Sequence, residues 1–273
     1  MGRTKNTKPT KKLVDVVIVT GGRFDMLKKC LKALEVQENA SEINVFVVDN
    51  ATDNKERLYN KDIFEMPVVT NSKRLTNERG FPGANNEGAR LGSSKFILFL
   101  NDDVELEPDT IHQMLNTMKD KTIGIVGAKL LFPEGSTRGP AGRVQHIGLG
   151  MSITGAIHHP LVGWPDKHIK CNISREVIAV TGACLLIRRD LFKKIGGFDE
   201  VYGLGTYEDI ELCFVARTLG FRTYINTNAR GTHYTGATVE KKQRGYPLQQ
   251  NALIFKARWA QSGLFAWTDY LLW

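Results

Sequence analysis

Cysteine is scarce in this chain of 273 residues, and what there is lies scattered. Cys30, Cys171, Cys184 and Cys213 show no C-x-x-C spacing. That spacing excludes a zinc-ribbon site or a dithiol redox motif and fits free thiols in a reducing compartment. Long apolar runs are also missing. None reaches the ~20 residues that a membrane-spanning helix needs, and the basic start lacks the apolar segment of a signal peptide. A cytoplasmic protein is the expectation. Two Gly-rich phosphate motifs are absent as well. Neither G-x-G-x-x-G after a first strand nor G-x-x-x-x-G-K-[ST] occurs, which excludes the usual dinucleotide fingerprint and the P-loop. Acidic excess is lacking too, since the net charge is +8. Arg3, Lys5, Lys8, Lys11 and Lys12 crowd the first dozen residues, so the remainder is only mildly basic. Such a balance suits phosphate-bearing substrates or an anionic membrane surface, and no nucleic-acid partner is expected.

What is present reads as an α/β chain. Residues 1–12 are polar, Lys-rich and interrupted by Pro9, a basic tail expected to be disordered. Leu13–Thr20 is β-branched and reads as a strand. Met26, Leu27, Cys30, Leu31 and Leu34 then recur at helical spacing. Ile43–Asn50 is a second strand ending in a carboxylate, and Val68–Asn71 a short third. This rhythm implies right-handed βαβ crossovers and a parallel sheet. Between them and the next strand, Gly80-Phe81-Pro82-Gly83-Ala84-Asn85-Asn86 supplies tight backbone. Asn85 or Asn86 can cap a helix running to Arg90.

The chain is organised around Phe96-Ile97-Leu98-Phe99-Leu100-Asn101-Asp102-Asp103. Five apolar residues bounded by a turn read as a strand buried on both faces. Ligands of open α/β sheets sit beyond the carboxyl ends of such strands. Asp102 and Asp103 therefore either hold a hard divalent cation beside substrate phosphates or cap the helix that follows. Ile111, Met114, Leu115 and Met118 fit that helix, and Ile123–Gly127 a further strand. Residues 132–176 lose periodicity and are rich in Gly, Pro, His and Trp, as a functional loop region would be. Its His146, His158, His159 and His168 lack metal-ligand spacing and read as surface-loop residues. Val177–Ile187 resumes buried-strand character. A helix over Tyr207–Arg217 carries Glu208, Asp209 and Glu211 in its first turn. The helix dipole favours acids there, yet they also offer a general base.

These pieces together resemble the family 2 inverting glycosyltransferases of GT-A fold, especially bacterial polysaccharide and rhamnosyltransferase-type members. The matching segments are Val47–Asp53, Gly80–Asn86, Leu98–Asp103, Thr181–Cys184, Gly196–Glu200 and Glu208–Cys213. They stand in the family's order and cover residues 13–235.

The resemblance implies a single Rossmann-like, mostly parallel sheet flanked by helices. It places a nucleotide-binding half at 13–103, an acceptor and catalytic half at 104–235, and a helical extension at 236–273. It further implies that Thr20, Asp49, Asn50, Asp53, Gly83, Asn86, Asn101 and Asp102 bind a nucleotide-sugar donor. Asp103 and His233 would ligate Mn²⁺ or Mg²⁺, and Asp209, with Glu208 beside it, would be the base. Asn101 stands where many members carry Asp, and Thr20-Gly21-Gly22-Arg23 departs from the family's usual first turn. The implied acceptor is a glycan or a lipid-linked glycan. A nucleotidyltransferase and an inactive sugar-binding module remain as alternatives. The aromatic end, Leu264–Trp273, leaves open packing on the core, a dimer contact, or attachment at the inner membrane face.

Overall fold

The computed structural model describes residues 12–51, 53, 55, 57, 60–152, 156–234 and 247–260. The expected 1–12 tail, except Lys12, and the aromatic end from Leu264 lie outside the described residues. The strands are β1 (Val14–Thr20), β2 (Ile43–Asp49), β3 (Asn71–Arg74), β4 (Phe96–Asn101), β5 (Val104–Leu106), β6 (Ile123–Leu131), β7 (Val144–His146), β8 (Gly150–Met151), β9 (Ile157–His158), β10 (Arg175–Val177), β11 (Cys184–Arg188) and β12 (Arg222–His233). The helices are α1 (Phe24–Glu35), α2 (Lys61–Phe64), α3 (Gly80–Ala89), α4 (Thr110–Thr117), α5 (Arg189–Ile195), α6 (Glu208–Thr218) and α7 (Leu248–Trp259). Ten strands form one sheet whose main path runs β10-β12-β6-β11-β4-β1-β2-β3, with β5 beside β12 and β7 beside β6.

The parallel portion is β4-β1-β2-β3, where short crossovers carry α1 and α3. Beyond it, β11 runs antiparallel to both β4 and β6, while β12 is parallel to β6. Buried strands alternate between two cores with a period of two. Val14, Val16, Ile18, Phe96, Leu98, Leu100, Cys184 and Leu186 face one side, with Leu27, Leu31 and Leu34 of α1 and Ile111 of α4. Val17, Ile97, Phe99, Leu185 and Ile187 face the other, with Phe192 of α5 and Leu212 of α6. Burial on both faces explains why these strands are nearly pure apolar runs.

Three local expectations are corrected. The third strand is Asn71–Arg74, because pairing with Phe46–Asp49 draws the chain three residues further on. Val177–Ile187 is not one strand: it breaks between β10 and β11 at Thr181-Gly182. Finally, α3 starts at Gly80, so Asn85 and Asn86 lie inside the helix and neither caps it. Gly80 has φ +64°, and an added Cβ would stand 1.9 Å from the Gly203 carbonyl oxygen. Only glycine fits there.

The 132–176 region is anchored from below by charge. The fully buried Lys129 reaches Asn172 Oδ1 at 2.7 Å and Asp166 Oδ1 at 2.8 Å. Arg230 grips Asp166 with two further bonds of 3.0 and 2.8 Å. Strands of two or three residues carry too few positions to show a period, which is why this stretch reads as irregular.

Candidate active site

The parallel register aligns one sheet edge. Thr20 at the end of β1 is level with Asp49 of β2, and Val19 with Asn101 of β4. The turn after β4 then delivers Asp102 and Asp103, and β5 returns along β12 with Val104 opposite His233. Pairing between strands far apart in sequence thus sets His233 beside Asp103, with Nε2 3.2 Å from Oδ1. Arg23, from the atypical first turn, closes on the other oxygen, Nη1 to Oδ2 at 2.6 Å.

The two neighbouring acids behave differently. Burial pushes the Asp102 carboxyl up to about 7, with the adjacent Asp103 charge raising it further. Burial also opposes ionisation of Asp103, but His233 and Arg23 outweigh it and hold that carboxyl at about 2. Asp102 Oδ2 is a buried oxygen without a hydrogen-bond partner, and Asp103 Oδ1 has only the His233 ring beside it. Asp15, equally buried on β1, provides an internal comparison: its oxygens are filled by Ser94 and by Arg189. Acceptors left open at one sheet edge invite a ligand.

Those open oxygens bear on the divalent ion that the resemblance implies. No group of three or more His, Cys, Asp and Glu side chains arranged for a metal occurs among the described residues. One carboxylate oxygen and one imidazole nitrogen do converge, and Mg²⁺-type sites commonly take only one or two carboxylates plus substrate phosphates. Asp103 and His233 fit such a half-built site.

The second acidic cluster sits at the start of α6. Thr206 and Tyr207 precede it with φ of 77° and 72°, a left-handed backbone costing about 1–3 kcal/mol per residue and typical of functional sites. Asn251 of α7 holds this turn, its buried Nδ2 within 3.0 Å of the Tyr202, Gly205 and Thr206 carbonyls and 3.1 Å from the Thr206 hydroxyl. Asp209 accepts from Gly182 N at 2.8 Å and from Ile210 N at 2.9 Å. Burial raises its carboxyl above the ordinary range even so. Glu208 is buried, with Oε2 unpartnered, and is raised well above that range by burial and by Asp209. Glu211 faces elsewhere, accepting from the Tyr202 hydroxyl and the Trp259 indole.

The remaining expected residues scatter in role. Asp49 is fully buried against Arg57, Nη1 to Oδ2 at 2.6 Å, and Asn50 accepts the Arg79 amide. Asp53 is exposed and bonds the Lys55 amide. Thr20 accepts from Gly22 N and hydrogen-bonds Asp102. Asn86 is occupied with the Phe198 amide and carbonyl, binding α3 to the turn after α5. Gly83 packs against Arg79 inside α3. His146, expected on a surface loop, is buried: Nε2 accepts from Gly148 N and Thr181 N. Its burial follows from β7 pairing into the main sheet. Sequence reasoning missed Arg23, Gln145, His146 and Asn251. The Gly-Gly-Arg departure pointed at Arg23.

The two acidic clusters meet through consecutive residues. Gln145 bonds His233 while His146 bonds Thr181, and Gly182, next in sequence, bonds Asp209. The glycosyl transferase family 2 model matches residues 15–196, and the chain belongs to that family. The chain spans well under a third of the length of two curated relatives that it matches. The chain is 30% identical over 233 residues to the O-antigen biosynthesis protein RfbC of Myxococcus xanthus, covering 82% of this chain and 17% of that protein. It is 22% identical over 250 residues to a glucosyl-dolichyl phosphate glucuronosyltransferase of Haloferax volcanii, covering 90% and 74%. Against solved structures, the chain superposes with TM-score 0.71 at 14% identity on GalNAc-T7 with UDP, GalNAc and Mn²⁺, covering 93% and 49%. The mannosyltransferase PcManGT of Pyrobaculum calidifontis with GDP-Man and Mn²⁺ gives 0.61 at 17%, covering 87% and 60%. These neighbours define a GT-A fold.

Proposed function

We propose that this chain moves a sugar from a nucleoside-diphosphate sugar to a glycan or lipid-linked acceptor by one inverting displacement. The observation that carries the reading is a division of labour between two acidic turns. One carboxylate, Asp103, is kept ionised between Arg23 and His233 at the sheet edge. Another, Asp209, is raised in a turn held by strained backbone.

Thr20, Asp49 and Asp102 line the edge that receives the nucleoside, and Asp103 with His233 would hold Mn²⁺ or Mg²⁺. The bound ion supplies Lewis-acid neutralisation of the diphosphate. Asp209 takes the proton from the acceptor hydroxyl as that oxygen attacks the anomeric carbon. The new C–O bond forms on the face opposite the breaking bond to phosphate, and the nucleoside diphosphate departs with that electron pair. Its raised affinity for a proton suits Asp209 to the role, and the Gly182 amide keeps it aimed. Work in polysaccharide assembly, as for the Myxococcus relative, belongs to the same proposal.

Release of nucleoside diphosphate from a panel of nucleotide-sugars, with Mn²⁺ and with EDTA, tests the reading. Metal-dependent release for one donor, raised by a polyprenyl-linked or oligosaccharide acceptor, is expected. Equal release with EDTA would remove the metal from the proposal, and no release from any donor would remove the transfer.

A further inference from the structure

Building on the metal-holding role proposed for His233, we propose that Gln145 is a positioning residue that fixes the ring and tautomer of His233 so that Nε2 faces the cation. Gln145 makes two bonds to one residue. Its Nε2 donates to the His233 carbonyl at 2.9 Å, and its Oε1 lies 2.7 Å from His233 Nδ1. The first bond decides the second. Turning the amide over would set Oε1 against a carbonyl oxygen, two acceptors face to face. Oε1 therefore faces the ring, and Nδ1 must carry the hydrogen. The tautomer of a histidine is set by the hydrogen bond of its other nitrogen. With Nδ1 so engaged, the Nε2 lone pair is left to the site, 3.5 Å from Asn101 Nδ2 and 3.2 Å from Asp103 Oδ1, a pair of acceptors that a shared cation would satisfy.

The backbone supports the same conclusion independently. In the β6–β7 pairing, Leu130 is opposite His146 and Leu131 opposite Val144, with an irregularity between them. Three residues of β7 therefore oppose two of β6, and Gln145 is the extra one. A bulge of this kind re-aims a side chain, and bulges concentrate beside active sites. Gln145 is turned out of register onto His233, which ends the strand neighbouring β6 on its other side. Ligating histidines ordinarily have such a partner on the far nitrogen, and its loss weakens metal binding by about 10–100-fold.

The experiment reads tautomer and metal separately, without turnover. Histidine ¹⁵N spectra are recorded on the full chain where imidazoles are neutral, with His233→Ala identifying the His233 signals. Wild type is expected to show Nδ1–H. Gln145→Met, similar in length but apolar, is expected to shift His233 toward Nε2–H and to weaken binding of Mn²⁺ alone by about 10–100-fold. Gln145→Glu keeps the acceptor for Nδ1 but loses the amide donor to the carbonyl. It should retain Nδ1–H and bind Mn²⁺ close to wild type even if Gln145→Met does not fold. An unchanged tautomer in Gln145→Met overturns the proposal, as does loss of Mn²⁺ binding in Gln145→Glu equal to that in His233→Ala. If His233→Ala binds Mn²⁺ like wild type, the metal reading fails instead, and the spectra still judge whether Gln145 sets the ring.

Discussion

The two acidic turns use the same side chain to opposite ends. After β4, Asp103 is buried yet strongly acidic, because Arg23 and His233 stand on either side of it. At the start of α6, Asp209 accepts only backbone amides among the described residues, and burial raises it. A carboxylate kept charged by a guanidinium against it is built to hold charge. One left without such a partner is built to take a proton. Environments that push paired acids apart assign their roles.

The largest test breaks the second turn. Asp209→Asn retains size and one of the two acceptor oxygens that Gly182 N and Ile210 N use, but not basicity, so turnover should fall by about 10²–10⁴-fold with donor affinity unchanged. Transfer rates beside calorimetric nucleotide binding measure both, and near-normal turnover would place the base elsewhere. The raised carboxyl also predicts that the acid limb of the kcat profile lies above the ordinary aspartate range, since the base works only when deprotonated. Breaking the first turn should act on binding. Asp103→Ala is expected to weaken Mn²⁺-dependent nucleoside diphosphate binding by at least the ~10–100-fold that loss of an outer partner brings. EDTA should bring wild type to the same level, and a variant insensitive to this change would reassign Asp103.

Two smaller effects sharpen the contrast within α6. Glu211, two residues beyond Asp209, has no part in the proposed chemistry, yet it ties Tyr202, Arg258 and Trp259 together. Glu211→Ala should cost about 1–3 kcal/mol in denaturant unfolding, the penalty of unsatisfied buried partners, while kcat survives. Glu208 differs again. A carboxyl raised on folding contributes stability that is present below its unfolded value and lost as pH rises through its folded one. Glu208→Gln should therefore be more stable than wild type at pH 8, with the gain vanishing near pH 4. About 1 kcal/mol or more is expected, because each tenfold change in proton affinity on folding is worth ~1.4 kcal/mol. An identical stability difference at both pH values would mean that Glu208 is not raised.

Much of the site's scaffold could be read from the chain. The apolar runs ending at Thr20, Asp49 and Asn101 do align on one sheet edge, and Glu208 and Asp209 do open a helix. The misreadings share a cause. Asn86 has a cap-forming side chain, but its partner, Phe198, is 112 residues away. His146 lacked any local pattern, because a three-residue strand pairing into the sheet is what buries it.

The sequence by itself determined the α/β class, the buried strands and their acidic ends, and the family. Those follow from local periodicity, turn residues and order along the chain, which need no partner to be visible. Only the tertiary structure decided that Arg23 and His233 flank Asp103, that Gln145 takes the ring of His233, and that Asn251 holds the turn before Asp209. These contacts join segments between 45 and 88 residues apart for Thr206–Asn251, Arg23–Asp103 and Gln145–His233, and 130 positions separate Asp103 from His233. A side chain's charge and tautomer answer to whatever the fold brings within hydrogen-bond reach, and sheet pairing, not sequence neighbourhood, sets that company.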